Sequence, residues 1–204
     1  MTDGSGGLRV YSPEGTQYEM THRATDFGST PRPISIWYAT KIIDRNGNSA
    51  SITYAAASHE ITRVTTSDGR TIDFTYTGTD TTRRVTSITA ASQTYNYGYT
   101  AVTGVLNAYQ LTTVTRPDGT TWGYEYNGDM NQSAGSHMMR EVKYPQGGTV
   151  NYSYDYVYFD TQSNPLSRTD VVTRKSTSQS ANWTFSYSPG RISGQFDETT
   201  VNGP

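Results

Sequence analysis

Apolar and aromatic residues recur along this chain in a frame that one stretch defines. With Gly69 as reference, apolar side chains stand at −8 (Ile61), −5 (Val64), +3 (Ile72), +5 (Phe74) and +7 (Tyr76). The frame fits again around Gly119 (Leu111, Val114, Trp122, Tyr124, Tyr126) and Gly147 (Met139, Val142, Val150, Tyr152, Tyr154). Gly47 carries Ile42, Ala50, Ile52 and Tyr54, and Gly15 heads a poorer copy with Val10, Tyr18, Met20 and His22. Two copies keep the aromatic ladder without the glycine: Tyr95, Tyr97 and Tyr99 about Ser92, and Trp183, Phe185 and Tyr187 about Ser180. About seven units result, at reference spacings of 32, 22, 23, 27, 28 and 33 residues.

Alternation with period 2 puts +3, +5 and +7 on one face of a strand, so each unit reads as a β-hairpin. The positions between them are small or polar: Asp73 and Thr75, Gly123 and Glu125, Asn151 and Ser153, Thr184 and Ser186. Asn46-Gly47, Asp68-Gly69 and Asp118-Gly119 are pairs that tolerate positive φ in tight hairpin turns. Pro13, Pro117 and Pro145 pre-set the entry to three of the turns. No segment carries a 3.6-residue apolar period, which predicts essentially no helix. The joins 23–40, 128–137 and 157–170 have the Gly, Pro, Asn and Ser content of surface loops. The prediction is one all-β repeat array, clearest over 41–187, with no domain boundary in 1–204 and truncated at both ends relative to a longer parent.

Composition sharpens this reading. Leu, Ile, Val and Phe supply only 30 of 204 residues, below the roughly 20% at which disorder becomes a serious alternative. Disorder also wants high net charge and few aromatics, whereas the chain has a net charge of −2, 17 Tyr and 3 Trp. The aliphatic shortfall fits a wall one sheet thick, with Tyr and Trp in place of a central core. A net charge of −2 leaves no broad basic field for a nucleic acid. No apolar run reaches the length of a membrane helix. The chain has no cysteine, and no signal peptide is legible at its start.

The candidate chemistry is thin. His22, His59 and His137 lie far apart with no partner at metal-ligand spacing, although His22, at +7 of its unit, suits a packed role. Asn46, Asp68, Asp118 and the run Asp129–Ser133 offer oxygen ligands of the kind calcium takes, and turn chemistry explains the first three as well. Asp73 and Glu125 are carboxylates on the polar positions, with nothing to mark them as a catalytic pair. No G-x-S-x-G elbow or phosphate-binding glycine loop occurs. Arg83-Arg84, with Arg63 and Arg70 nearby, reads as solvated strand ends. Trp122 and Trp183 share position +3 and read as packing. Trp37 stands outside the frame and is the candidate for a contact with another part of the parent protein. No catalytic, cofactor or metal residue is expected. The structural determinants are the turn glycines Gly15, Gly47, Gly69, Gly119 and Gly147 and the aromatic ladder.

The segment Gly147-Gly-Thr-Val-Asn-Tyr152-Ser-Tyr154-Asp155 resembles the YD repeat of the RHS family. So do Arg116-Pro-Asp-Gly119 with Tyr124-Glu-Tyr126-Asn-Gly128, and Val64 through Tyr76. The strict Tyr-Asp pair occurs in frame only at Tyr154-Asp155. RHS and YD-repeat proteins include bacterial toxin-complex components and polymorphic toxins, with the teneurins as animal relatives. The resemblance implies a curved, spiralling antiparallel sheet forming part of a shell that encloses and shields a toxin polypeptide. It implies secretion or surface delivery, neighbouring repeats of the parent protein as partners, and no cofactor. The family's aspartyl self-cleavage motif is not found in this sequence. An adhesin or carbohydrate-binding module that uses the aromatic residues is the alternative. A sheet fragment with unpaired edges is also expected to self-associate edge to edge.

Overall fold

The computed structural model describes residues 6–26, 34–128, 134–158, 168–189 and 196–204. The described residues form seventeen strands: β1 (Leu8–Tyr11), β2 (Gln17–Met20), β3 (His22–Asp26), β4 (Ile34–Tyr38), β5 (Lys41–Ile43), β6 (Ser49–Tyr54), β7 (Ile61–Thr66), β8 (Thr71–Thr77), β9 (Arg84–Ala90), β10 (Gln93–Ala101), β11 (Tyr109–Thr115), β12 (Thr121–Tyr126), β13 (Met139–Lys143), β14 (Thr149–Tyr158), β15 (Arg168–Thr177), β16 (Asn182–Pro189) and β17 (Phe196–Asn202). Among the described residues there is no α-helix, only a 3₁₀ turn at Asp80–Thr82. Fifteen strands form one antiparallel sheet in chain order, from which only β3 and β4 depart to pair with each other. The chain divides into two compact units, Met1–Tyr95 and Asn96–Pro204.

The turns are built to one pattern. In the first unit they occupy Ser12–Thr16, Asp44–Asn48 and Thr66–Arg70; in the second, Arg116–Thr120, Tyr144–Gly148 and Thr177–Ala181. Each is closed by a hydrogen bond from the first residue's N–H to the fifth residue's carbonyl, and by another from the fourth residue's N–H to the first carbonyl. The fourth residue is the reference position, at φ +89, +89, +86, +80 and +91 for the five glycines and +68 for Ser180. Asn46, Asp68 and Asp118 do not have positive φ, which corrects the expectation of paired positive-φ residues. The loop has three residues, a type I turn followed by a left-handed residue, so only the glycine needs that conformation. Around Ser92 the turn is tighter, with Ala91 and Ser92 both left-handed (φ +49 and +63). It is one residue shorter, which moves the incoming Val85 and Ile88 one place closer to the reference.

A second repeated device explains the −8/−5 spacing. Residues three apart lie on opposite faces of a regular strand. Tyr54 pairs with Ile61 and Thr53 with Arg63, leaving Thr62 as an extra, bulged residue. The bulge returns Ile61 to the face of Val64. Equivalent register shifts fall just before Tyr76, Tyr99, Tyr126 and Tyr154. The bulged threonine hydroxyls bond back across the ladder, Thr62 to the Thr53 carbonyl and Thr173 to the Ser153 carbonyl, each at 3.3 Å.

Adjacent hairpins are also tied at their turns. The Ser67 N–H donates to the Ser49 carbonyl (2.7 Å) and the Ser49 N–H to Ser67 Oγ (3.1 Å). Ser178 and Thr149 repeat both bonds at 3.0 and 3.1 Å. Burial is shallow: among the described hydrophobic residues only Val150 (5% exposed) and Val171 (9%) are fully buried. That agrees with the low aliphatic content.

Two segments depart from the sequence reading. The join 23–40, expected to be loop, contains most of β3 and all of β4, whose Ile34-Ser-Ile36-Trp-Tyr38 alternation is a strand pattern. The join 157–170, also expected to be loop, holds the end of β14 and the start of β15; the last strand, β17, pairs with β16 from Asn202↔Thr184 to Phe196↔Pro189.

Candidate functional site

Each unit presents an apolar face on its part of the ladder. In the first, Val64 pairs with Ile72, Phe74 with Ile88 and Tyr76 with Val85, while Tyr54 pairs with Ile61. In the second, Val114 pairs with Trp122, Tyr124 with Val142, Tyr126 with Met139, Val142 with Val150 and Tyr154 with Val172. Cross-strand partners share a face, so these apolar pairs lie on one face within each unit. Tyr95 lies on β10 in the first unit and Tyr97 and Tyr99 on the same strand in the second. Tyr152 pairs with Lys175, Phe185 with Val201 and Tyr187 with Thr199.

The +7 tyrosines do more than fill space. The hydroxyls of Tyr54, Tyr76, Tyr154 and Tyr187 donate to the carbonyls of Ala39, Ile61, Met139 and Val172, at 2.8, 2.8, 2.6 and 2.8 Å. Each bond spans fifteen residues, from +7 back to −8 where the frame defines both. Burial raises the phenols of Tyr54, Tyr76, Tyr126 and Tyr154, with smaller contributions from Tyr38, Glu60, Tyr124 and Tyr152 respectively. The sequence showed these residues as a hydrophobic ladder but gave no sign of the hydroxyl bonds.

On the polar face, charged groups pair across strands. Arg63 meets Asp73, Arg9 meets Glu19, and Glu125 binds both Arg140 and Lys143. The Lys143 ammonium, then the Arg140 guanidinium, hold the Glu125 carboxyl below its ordinary range. Asp73 and Glu125 belong to different units, each engaged by cations. The basic cluster is dispersed into pairs: Arg70 with Asp68, and Arg83 with Glu60. Asp68 accepts from the Thr66 hydroxyl and Asp118 from the Thr120 N–H and hydroxyl, so turn bonding lowers both carboxyls. Among the described residues, no three His, Asp or Glu side chains converge as a metal site would require. Asp129–Ser133 lies outside the described residues. A groove of about 650 Å³ beside the turns of β7–β8 and β9–β10 is lined by Val64, Ile72, Ala90, Arg70 and Asp73 among others.

The tryptophans are partly covered. The Arg23 guanidinium lies 5.6 Å above the Trp37 ring and donates to Ser35 Oγ, and the Lys175 ammonium lies 4.7 Å from the Trp183 ring. Trp122 meets Tyr144 edge-on at 4.8 Å. In the second unit, Gly135 is buried. Its N–H donates to Asp170 Oδ1 (2.7 Å), its carbonyl accepts from Asn127, and a Cβ there would stand 2.8 Å from Tyr154.

One association escaped the sequence reading. His22 and His59, 37 residues apart, meet at 2.7 Å between Nε2 and Nδ1. His22 opens β3 instead of continuing β2, yet its ring stacks on Tyr54 at 4.7 Å, with Tyr38 5.6 Å from Tyr54. No local signal marks this pair, because the excursion that brings His22 back is a tertiary event.

No protein-family model matches the chain, and no curated protein matches it.

Proposed function

We propose that this chain is a non-catalytic wall segment of an RHS-like repeat protein whose apolar face packs against an enclosed polypeptide, shielding it until delivery from a secreted or surface-exposed parent. The observation that carries this reading is the repeated hairpin, with its positive-φ turn, bulge and tyrosine-to-carbonyl bond, bearing a ladder that only shallow burial protects. A chain whose repeated residues build strands and turns, and whose Asp73 and Glu125 carboxylates are engaged by cations, has its specificity in shape. Containment of that kind is steric and needs no cofactor.

The test begins with the parent reading frame, which should contain further repeats and a variable downstream polypeptide. Protease challenge of the parent should leave that polypeptide intact, and Trp122→Ala with Tyr124→Ala should expose it. Equal digestion in both proteins, or a parent without further repeats, overturns the proposal. Calorimetric titration with sugars addresses the carbohydrate-binding alternative: saturable binding lost in Trp37→Ala or Trp122→Ala would replace the container reading. The outer strands β1 and β17 expose Val10, Tyr11 and Val201, so the isolated chain is proposed to associate edge to edge as its concentration rises. A constant monomer mass by light scattering would exclude that association.

A further inference from the structure

We infer that the His22–His59 pair is a proton-sensitive latch that docks the β3–β4 hairpin on the first unit and releases it when both imidazoles are charged. The excursion leaves the large sheet after β2 and returns at β5. Its neck is closed by the Thr40 N–H donating to the Glu19 carbonyl (2.7 Å) and by the Thr21 and Thr40 hydroxyls at 2.8 Å. Between these points the described residues form a two-stranded sheet, and a lone hairpin is marginal in water. Its position therefore depends on side-chain contacts. Among the described residues these are the histidine bond, the His22–Tyr54 stack, the approach of Tyr38 to Tyr54 and His59, and, at the neck, the Tyr54 hydroxyl donating to the Ala39 carbonyl.

The two rings are set for a shared proton. Their centres lie 4.9 Å apart with the nitrogens 2.7 Å apart, so the nitrogens face each other. A metal would need both lone pairs aimed at a third point. One nitrogen must donate and the other accept. The neutral pair meets that condition, and a pair with one extra proton meets it more strongly because the bond becomes charge-assisted. With two extra protons both nitrogens carry hydrogen, no acceptor remains, and two cations confront each other. The titratable groups facing the pair are Tyr38 from β4 and Tyr54 from β6. Among the described residues, no carboxylate pairs with either histidine. Glu60, next along the chain, is engaged with Arg83 at 2.9 Å.

The His59 backbone is shaped for this contact. It sits at φ +59, a conformation glycine takes more cheaply, held by its N–H to the Ala55 carbonyl and by the Ala55 N–H to the Glu60 carbonyl. Docking is thus retained while the pair holds no extra proton or one, and lost once it holds two.

Heteronuclear NMR of the full chain from pH 7.5 to 4.5 tests the latch. The Trp37 indole and the amides of Arg23, Ala24 and Ile36 should move or broaden on acidification, with exchange protection falling about tenfold or more. Val64 and Ile72 in β7–β8 should hold their positions. His59→Gln keeps a hydrogen-bonding partner for His22 at any proton count, so its β3–β4 resonances should stay native to pH 4.5. A wild-type hairpin that does not respond to pH overturns the latch, as does an identical response in His59→Gln. The wild-type titration alone is decisive if the variant does not fold.

Discussion

Replacing Tyr154 by Phe removes one oxygen and leaves the ring in place, so it isolates the bond that recurs across fifteen residues. The Tyr154 hydroxyl donates to the Met139 carbonyl at 2.6 Å, and Met139 pairs with Tyr126 where the register shifts. A typical intramolecular hydrogen bond contributes about 0.5–1.5 kcal/mol net, and a buried acceptor left unpaired costs about 1–3 kcal/mol. Tyr154 is half-buried, so water partly replaces the lost donor, and the expected loss is about 1–1.5 kcal/mol. That corresponds to a fall in Tm of roughly 2–5 °C for a chain of this size. Tyr152→Phe is the control, because that hydroxyl has no hydrogen-bond partner among the described residues; its effect should stay below about 0.5 kcal/mol. Repeat arrays can open in parts, so urea denaturation should be joined to amide exchange measured at Met139 to Glu141. Protection there should fall in Tyr154→Phe and hold in Tyr152→Phe. Equal losses in the two variants, or no loss in Tyr154→Phe, would refute the assignment of a structural role to the hydroxyl.

Gly69→Ala should cost about 1–2 kcal/mol from the left-handed backbone alone, since a Cβ there meets nothing within 4 Å; Gly69→Asn, which tolerates that conformation, should cost less by denaturant titration. Gly135→Ala combines φ +78 with a Cβ 2.8 Å from the Tyr154 ring and should cost more, about 3 kcal/mol, with protection lost around Met138. Burial raises the phenols of Tyr54, Tyr76, Tyr126 and Tyr154 above their unfolded value. Their contribution to stability is therefore full below the unfolded pKa and lost as pH rises through the folded one. Absorbance titration at alkaline pH should show a late-ionising class of tyrosines that joins the main transition in urea. Glu125→Gln should cost at most about 1 kcal/mol and less in high salt. Because the Glu125 carboxyl is lowered, its contribution holds above the ordinary carboxylate range and disappears on acidification, as paired urea titrations at two pH values would show.

Local periodicity determined most of the ladder. Alternation at +3, +5 and +7 predicts a strand face from neighbours along one chain, and glycine before that run predicts a turn because one residue must take positive φ. These are short-range constraints, so they survive in the sequence. The −8/−5 spacing was visible, but its meaning was not: only pairing with the preceding strand creates the bulge at Thr62 that puts Ile61 and Val64 on one face. The loop type was likewise decided by closure across the hairpin, which leaves Asp68 in an ordinary conformation and gives the positive φ to Gly69 alone. His22 and His59 carry no local signal because their approach depends on where the β3–β4 excursion leaves and re-enters the sheet. The sequence by itself determined the repeating strand and its apolar face, through forces acting over a few residues. The tertiary structure alone decided the tyrosine-to-carbonyl bonds and the histidine pair, because both require strands distant along the chain to be placed side by side.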